Sequence, residues 1–464
     1  MIAVTIGRTF LTAYNAKTEQ TMTAKEFFEN EFFEYFFNHS KYMQWVTNSP
    51  FVQMRSGQKL HRLVPEERRD KLITLHTKIS EGDKDASIAI GFPASEIKEF
   101  ATTSGMVTDI ELLLDEEDAY YSWIGGGLGV GVAGGYSIFF DQPDILLKLY
   151  EGWKFYRSYL NDKTLDRLRG NQINTWNGQW LNFSYNKYFR ENFDFAKLHS
   201  TGVFTVNEKV IEVNTIKWSE LFFNVSNRFP HHTLSGYVYS LGQTNKTLGF
   251  YPFQFDKARS LIQYYITLFG EQAALQDAKQ YESIFGMHIK RACELGSIGM
   301  QALEPQDLRK YFGKNSNLKL TKPNVKNKQG EGEAEFSIRK DNALKKDYIN
   351  IVTYRTYKTW LLAMITKNKE ESLEYTAEVA TALHEYRAGA TKLDRKNLIQ
   401  SELLVAKAKK SFLDALTTII RDVDKNDLDI FKSLRDRVHM MSAEDFGYFV
   451  ILLKFDYAYV ERNL

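Results

Sequence analysis

Cysteine is almost missing from this 464-residue chain, in which Cys293 stands alone. One thiol excludes an intrachain disulfide framework and any cysteine-based zinc site. The expected role of Cys293 is that of a small buried apolar residue. The nine histidines include a single adjacent pair, His231 and His232, with no metal-ligand spacing and no obvious nucleophile partner. No apolar run approaches the length needed to span a bilayer, and the opening Met1-Ile2-Ala3-Val4-Thr5-Ile6-Gly7-Arg8 lacks a secretory pattern. A cytoplasmic protein is expected, which makes the sequons at Asn182, Asn224 and Asn245 chance matches.

Charge of either sign is nearly balanced overall, 60 Lys and Arg against 58 Asp and Glu. It is not balanced locally. From Arg309 to Lys346 eleven basic residues face four acidic ones, a local charge of +7. Such a segment cannot bury itself, and a polyanion is its natural partner. Aromatic residues are abundant at 14%, with 33 Phe, 26 Tyr and 7 Trp. Most are expected in cores, while some can stack on bases or wedge between them. The length suits two or three domains.

The basic stretch divides two kinds of sequence. The expected class is α+β: a mixed α/β N-terminal domain over residues 1–308, a basic flexible linker over 309–346, and an all-α helical bundle over 347–464. Glu26 to Phe37 reads as a helix whose stripe of Phe27, Phe28, Phe32, Tyr35 and Phe36 belongs to a core. A polar loop carrying Arg55 and Lys59 precedes Pro65, which opens a basic helix with Arg68, Arg69 and Lys71. Gly202 to Val213 reads as a hairpin broken at Asn207-Glu208-Lys209, Leu234 to Leu241 as a strand, and Asp256 as a helix cap. Later helices are expected at about 346–366, 370–386, 395–420 and 443–459.

Two stretches carry the strongest candidate chemistry. The first is the glycine cluster Gly125, Gly126, Gly127, Gly129, Gly131, Gly134 and Gly135. Gly129, Gly131 and Gly134 match a dinucleotide-binding spacing, but the following Tyr136 to Phe140 reads as strand, where that motif requires a helix. A close backbone approach, to a nucleic-acid groove or to another part of the fold, is left. The second is Arg167 to Trp180, which concentrates Asn171, Gln172, Asn174, Asn177 and Gln179 with Arg167, Arg169, Trp176 and Trp180. Amides can read base edges, Arg can pair with phosphate or guanine, and Trp can wedge. The alternative is a polar loop pinned by two buried tryptophans.

Weaker patterns point elsewhere. Asp85, Glu96 and Lys98 mimic a metal-dependent nuclease triad, although Ser95 to Phe100 reads as a helix start where strand is needed. Asp422, Asp424 and Asn426 imitate the start of a calcium loop, but Asp427 stands where glycine is required and Ser433 where glutamate is required, so a helix-connecting turn is expected.

Several short pieces carry a family resemblance: Ile6-Gly7-Arg8-Thr9-Phe10, Thr23-Ala24-Lys25-Glu26-Phe27, Thr47-Asn48-Ser49-Pro50-Phe51, Ser442-Ala443-Glu444-Asp445-Phe446 and Leu452-Leu453-Lys454-Phe455. With the order of the glycine-rich middle and the C-terminal helices, the chain resembles the large subunit of type I CRISPR Cascade complexes, nearest the I-B branch. Some relatives carry paired zinc motifs, which Cys293 alone cannot supply. The resemblance implies a subunit that is not an enzyme and needs no cofactor. It implies an N-terminal domain that reads the protospacer-adjacent motif and opens the duplex, and a bundle that guides the displaced strand. The implied partners are backbone and crRNA 5′-end subunits, target double-stranded DNA and a helicase-nuclease. A separate small subunit started internally at Met287 or Met300 would contain the bundle.

On that footing the expected DNA contacts are Gly125, Gly126, Gly127, Gly129, Arg167, Arg169, Asn171, Gln172, Asn174, Trp176, Asn177 and Gln179 in the N-terminal part. Lys319, Lys322, Lys326, Lys328, Arg395 and Lys396 are the expected phosphate contacts, with Arg387, Lys392, Lys407, Lys409 and Lys410 as further bundle cations. Two other readings stay open: a scaffold whose bundle binds another protein, and a metal-dependent nuclease using Asp85, Glu96 and Lys98.

Overall fold

A computed structural model describes residues 2–46, 49–82, 115–186, 189–190, 202–240, 246–255, 285–287, 303–305, 323–364, 369–389 and 393–463. Asp85, Glu96, Lys98, Asp256, Cys293, Met300, Lys319, Lys322 and Lys392 lie outside these residues. The structure is mixed, with a small antiparallel sheet in the N-terminal half and helices in the C-terminal half. Backbone contacts divide the chain into two compact units: Met1–Ala258 with Met287–Ala302, and Arg259–Gly286 with Leu303–Leu464.

The first unit begins with α1 (Ile2–Thr18), then α2 (Ala24–Phe27), a π-helical turn (Phe28–Phe32) and α3 (Phe33–Phe36). Thr23 and Glu26 form a reciprocal capping box at the start of α2. Phe27, Phe28, Phe32 and Phe36 of the expected stripe are fully buried. They meet Phe51 and Trp123 on one side and Trp153 on the other, and Phe37 stacks on Phe51 at 3.9 Å between centroids. Edge-on and offset ring packing of this kind adds to the area term. Pro65 opens α4 (Pro65–Ser80), as its fixed φ favours.

The central helix α5 (Glu116–Gly126) is capped by Asp115, whose side chain accepts from Asp118 N. It carries two of the glycines expected in a loop. Helix α1 packs closely enough on α5 that a Cβ on Gly125 would stand 1.8 Å from Ala3 O, and one on Gly7 would stand 2.1 Å from Tyr121 O. Tertiary packing therefore overrides the poor helix propensity of Gly125 and Gly126.

Strands β1 (Val130–Val132) and β2 (Tyr136–Phe140) form a hairpin, and α6 (Pro143–Asn161) and α7 (Ile173–Ser184) follow. The expected hairpin at Gly202–Val213 is present as β3 (Phe204–Val206) and β4 (Ile211–Val213). After α8 (Trp218–Arg228), the expected strand is present as β5 (Thr233–Ser240) and pairs with β6 (Lys246–Gln254). The main sheet runs β1-β2-β5-β6, every pairing antiparallel, with β2 held between β1 and β5.

In the second unit, α9 (Glu333–Met364) starts well before the expected position near 346. Residues 333–346 of the expected flexible linker are therefore helix. Lys and Arg are good helix formers, and Glu333 and Glu335 complement the dipole in the first turn. The bundle continues with α10 (Lys369–Ala388), α11 (Leu393–Asn397), α12 (Lys409–Asp422), α13 (Leu428–Met440) and α14 (Ala443–Asn463). The single helix expected over 395–420 is broken, passing through a π turn at Leu398–Glu402 and a 3-10 turn at Leu403–Val405. The predicted stripe positions Phe412, Leu416, Ile419, Phe446, Val450 and Leu453 all lie in one buried cluster. Residues 423–427 connect α12 and α13, so the calcium-like sequence is a helix-connecting turn. Among the described residues, no helix is long and apolar enough to cross a membrane.

Candidate functional site

The two candidate stretches of the first unit, some forty residues apart, converge. The β1–β2 turn and the start of α7 line one open cleft of about 530 Å³, together with Gln44, Trp45 and Val46 of the loop before Phe51. Local hydrogen bonds explain why. The loop runs beside the entry to α7, with Asn171 N donating to Tyr42 O at 2.6 Å and Ile173 N donating to Met43 O at 3.2 Å. Asn171 itself adopts φ +54°, a left-handed conformation that Asn tolerates better than most residues.

The turn between β1 and β2 is three residues long, Ala133, Gly134 and Gly135, with φ of +90° and +75° at the two glycines. It is tied down from outside: Ala133 N donates to Ile216 O at 2.9 Å, and Trp218 Nε1 donates to Ala133 O at 2.9 Å. Beneath it, β1 and α7 touch backbone to backbone. A Cβ on Gly178 would lie 2.2 Å from Gly131 O, and one on Gly131 would lie 2.8 Å from Asn174 O. The G-x-G-x-x-G spacing is thus satisfied by a tight strand-helix contact and a turn, followed by strand β2.

The amides sort into two groups. Asn171, Gln172 and Asn174 line the cleft. Asn174 Nδ2 donates to Ser137 Oγ at 3.1 Å, Gln172 Oε1 accepts from Val213 N at 3.1 Å, and Asn171 is exposed. Asn177 and Gln179 lie outside the lining and hold the fold together. Asn177 is fully buried and donates to Gly127 O and Gly129 O at 2.8 and 3.0 Å, while Gln179 Nε2 donates to Asn214 O at 2.7 Å. Trp176 is also fully buried, stacked on Tyr156 and donating from Nε1 to Gly152 O at 2.7 Å. The wedge expected of Trp176 and the base reading expected of Asn177 and Gln179 are therefore corrected to core roles.

Gly125 and Gly126 are buried inside α5, and Gly127 and Gly129 pack on Phe36 and Tyr239, so these four do not present a groove-facing loop. Arg167 donates to Asn207 O and Glu208 O at 3.2 and 2.6 Å, pinning the β3–β4 turn, and Arg169 pairs with Glu212 across the same hairpin. Both guanidiniums hold the fold together locally.

Several lining residues, among them Trp45, Tyr136 and Thr215, lie outside both candidate stretches and carry no sequence signal for the site. Trp45 is 44% exposed, whereas the other six tryptophans are 7% exposed or less. Among the described residues lining the cleft, none bears a carboxylate, amine, guanidinium or imidazole. Burial drives the hydroxyl of Tyr239, which lies beside the lining residues Ser137 and Asn174, above its usual phenol range. The N-terminus of α7, with Gln172 in the cap position, has no side-chain cap bond and opens on the same space.

In the second unit, Lys326, Lys328 and Lys396 are exposed. Arg395 is not a freely presented cation: it binds Asp422, donates to Tyr386 O at 2.8 Å and lies 4.2 Å from the Tyr386 ring centroid. Arg387 pairs with Glu461, and Lys409 donates to His439 O and Met441 O. Among the described residues, no group of three or more His, Cys, Asp or Glu is placed to hold a metal ion.

Comparison with protein-family models, with curated proteins and with solved structures finds no match to this chain.

Proposed function

We propose that this chain is the non-catalytic large subunit of a CRISPR RNA-guided DNA surveillance complex of the Cascade type. In this reading the first unit recognises a short protospacer-adjacent motif and helps open the duplex. The helical unit supports the displaced strand and the R-loop, and the complex recruits a helicase-nuclease. Guide pairing carries the sequence information while the protein reads motif and shape.

The observation that carries the proposal is the convergence of the glycine turn with Asn171, Gln172 and Asn174 on one uncharged, open cleft. Amide groups beside exposed backbone suit base-edge recognition, whose donor and acceptor pattern is itself uncharged. The exposed Lys326, Lys328 and Lys396 suit sequence-independent phosphate contact. Met287, in the short strand Phe285–Met287, and Met300 both precede α9, so internal initiation at either would yield the described bundle as a separate small subunit.

The test is co-expression with the neighbouring genes. Co-purification with a small RNA and repeated backbone subunits supports the proposal. In that complex, Asn171→Ala with Asn174→Ala weakens motif-containing duplex more than motif-free duplex. Equal loss on both, or no RNA in the purified complex, refutes it.

A further inference from the structure

We infer that the cleft seats a single unstacked nucleobase, with Trp45 as its stacking platform. This rests on the nucleic-acid reading above and adds the occupant and the residue that holds it.

Trp45 is the anomaly that prompts the assignment. Six tryptophans are buried in packed aromatic surroundings, yet this one stands 44% exposed at a concave site. A large indole surface left in water is stabilised by whatever covers it. Among the described residues lining the cleft no side chain carries a charge, so a phosphate, a carboxylate or a metal ion would find no charged side chain to pair with there. A neutral planar ring with donors and acceptors on its edge has no such cost.

The polar groups present match that edge. The Asn171 side chain is exposed, Thr175 and Thr215 line the cleft, and Gln172 uses Oε1 on Val213 N, which leaves its amide NH₂ directed by the same anchoring. The uncapped first turn of α7 adds a partial positive potential that favours carbonyl and ring-nitrogen acceptors. At Gly135, nothing lies within 4 Å of an added Cβ, so the turn leaves open space for the sugar that must accompany a base. An extruded base is also what an opened duplex supplies, and stacking on an aromatic ring tolerates any base.

The burial of the other six tryptophans provides the assay. Iodide quenching of the full-length chain reports chiefly on Trp45, and fluorescence anisotropy of a labelled single-stranded DNA dodecamer reports binding separately. The dodecamer is expected to shield Trp45 from iodide, and an all-abasic dodecamer of the same charge is not. Trp45→Ala is expected to weaken binding of the intact dodecamer by about fivefold to a hundredfold, the range of one lost base–aromatic stack. Trp45→Phe is expected to restore most of it.

Binding that survives Trp45→Ala unchanged, or equal shielding by the abasic strand, overturns the base seat while leaving nucleic-acid binding intact. No anisotropy change with any strand at low salt overturns both readings. Shielding of Trp45 by cellohexaose but not by DNA overturns the assignment in favour of a carbohydrate.

Discussion

Replacing Gly178 by alanine tests the architecture beneath the cleft, because two effects of opposite sign compete there. In the interior of a helix, alanine is better than glycine by about 0.8–1 kcal/mol. At Gly178 the new methyl would stand 2.2 Å from Gly131 O, with Gly131 C and Ile216 Cδ1 at 3.4 Å. The obstructing atom is backbone, so no side chain can rotate away. Restoring ordinary contact needs α7 and β1 to part by about 1 Å, and overpacking of that kind costs about 1–3 kcal/mol or more. The two terms leave an expected net loss of up to about 2 kcal/mol, or up to a few degrees in Tm for a unit of this size, where the open site of Gly447 would show a gain. Gly447→Ala is the matched control, since Gly447 is exposed within α14 and an added Cβ meets nothing within 4 Å. That variant is expected to gain about 0.5–1 kcal/mol. Urea unfolding followed by circular dichroism and near-ultraviolet signal measures both. If Gly178→Ala stabilises as Gly447→Ala does, β1 and α7 do not touch as described, and the cleft floor is wrong.

Asn177→Ala removes the donor shared by Gly127 O and Gly129 O in a fully buried position, and a loss of about 2–4 kcal/mol is expected in equilibrium unfolding, with Asn177→Asp no better. His39 has its pKa lowered to about 4 by burial and then by the neighbouring Arg157, so the unfolded chain takes up the proton more readily between pH 6.5 and 4. Stability contributed by the neutral ring is therefore complete above pH 6.5 and is lost as pH falls through that window, by up to about 2 kcal/mol after allowing for solvent screening. His39→Gln is expected to flatten that slope in denaturation curves collected across the window, and an unchanged slope rejects the assignment. Neutralising Lys319, Lys322, Lys326 and Lys328 together should lower the salt dependence of DNA binding by about 0.7–0.9 per lost phosphate contact. A slope that does not move removes the phosphate role.

The parts of the fold legible in the sequence are those in which one periodicity dominates. The phenylalanine stripe of residues 27–36, the β3–β4 hairpin and the helical apolar repeats around Phe412 and Phe446 each have one reading, and each is present. Helix α7 is obscured by its amides, which favour caps and turns. Its apolar residues Ile173, Trp176, Trp180 and Leu181 nonetheless recur at helical spacing and are all buried. That periodicity marks the helix but does not separate the cleft-lining Asn174 from the fully buried Asn177, which are neighbours three residues apart. Helix α5 has no such marker, because Gly125 admits the close approach of α1, a tertiary cause with no local signal. Trp45 has none either: whether one tryptophan in a chain rich in aromatics is exposed depends on the whole packing.

The distribution of charge constrains how the proposed function divides its labour. Arg167, Arg169, Arg387 and Arg395 suit phosphate contact by residue type, but each is engaged by carbonyls or carboxylates of its own unit. Moving any of them to a phosphate would expose the partner it leaves, which offsets much of the gain. Among the described residues lining the cleft, none carries a charged side chain with which to attract a polyanion. In the proposed function, affinity would come from exposed lysines such as Lys326, Lys328 and Lys396 and from the guide duplex of the proposed assembly. In the proposed function the cleft would supply discrimination, since a site without charged side chains gains little from a phosphate backbone common to every sequence and would respond to the base that enters it. Under this division, variants of the cleft change which sequences bind and leave the salt slope alone, whereas variants of the lysines change the salt slope and leave the preference alone. The two sets of substitutions should therefore act independently in a double-mutant cycle, and strong coupling between Trp45 and Lys326 would show that the separation of charge from recognition is false.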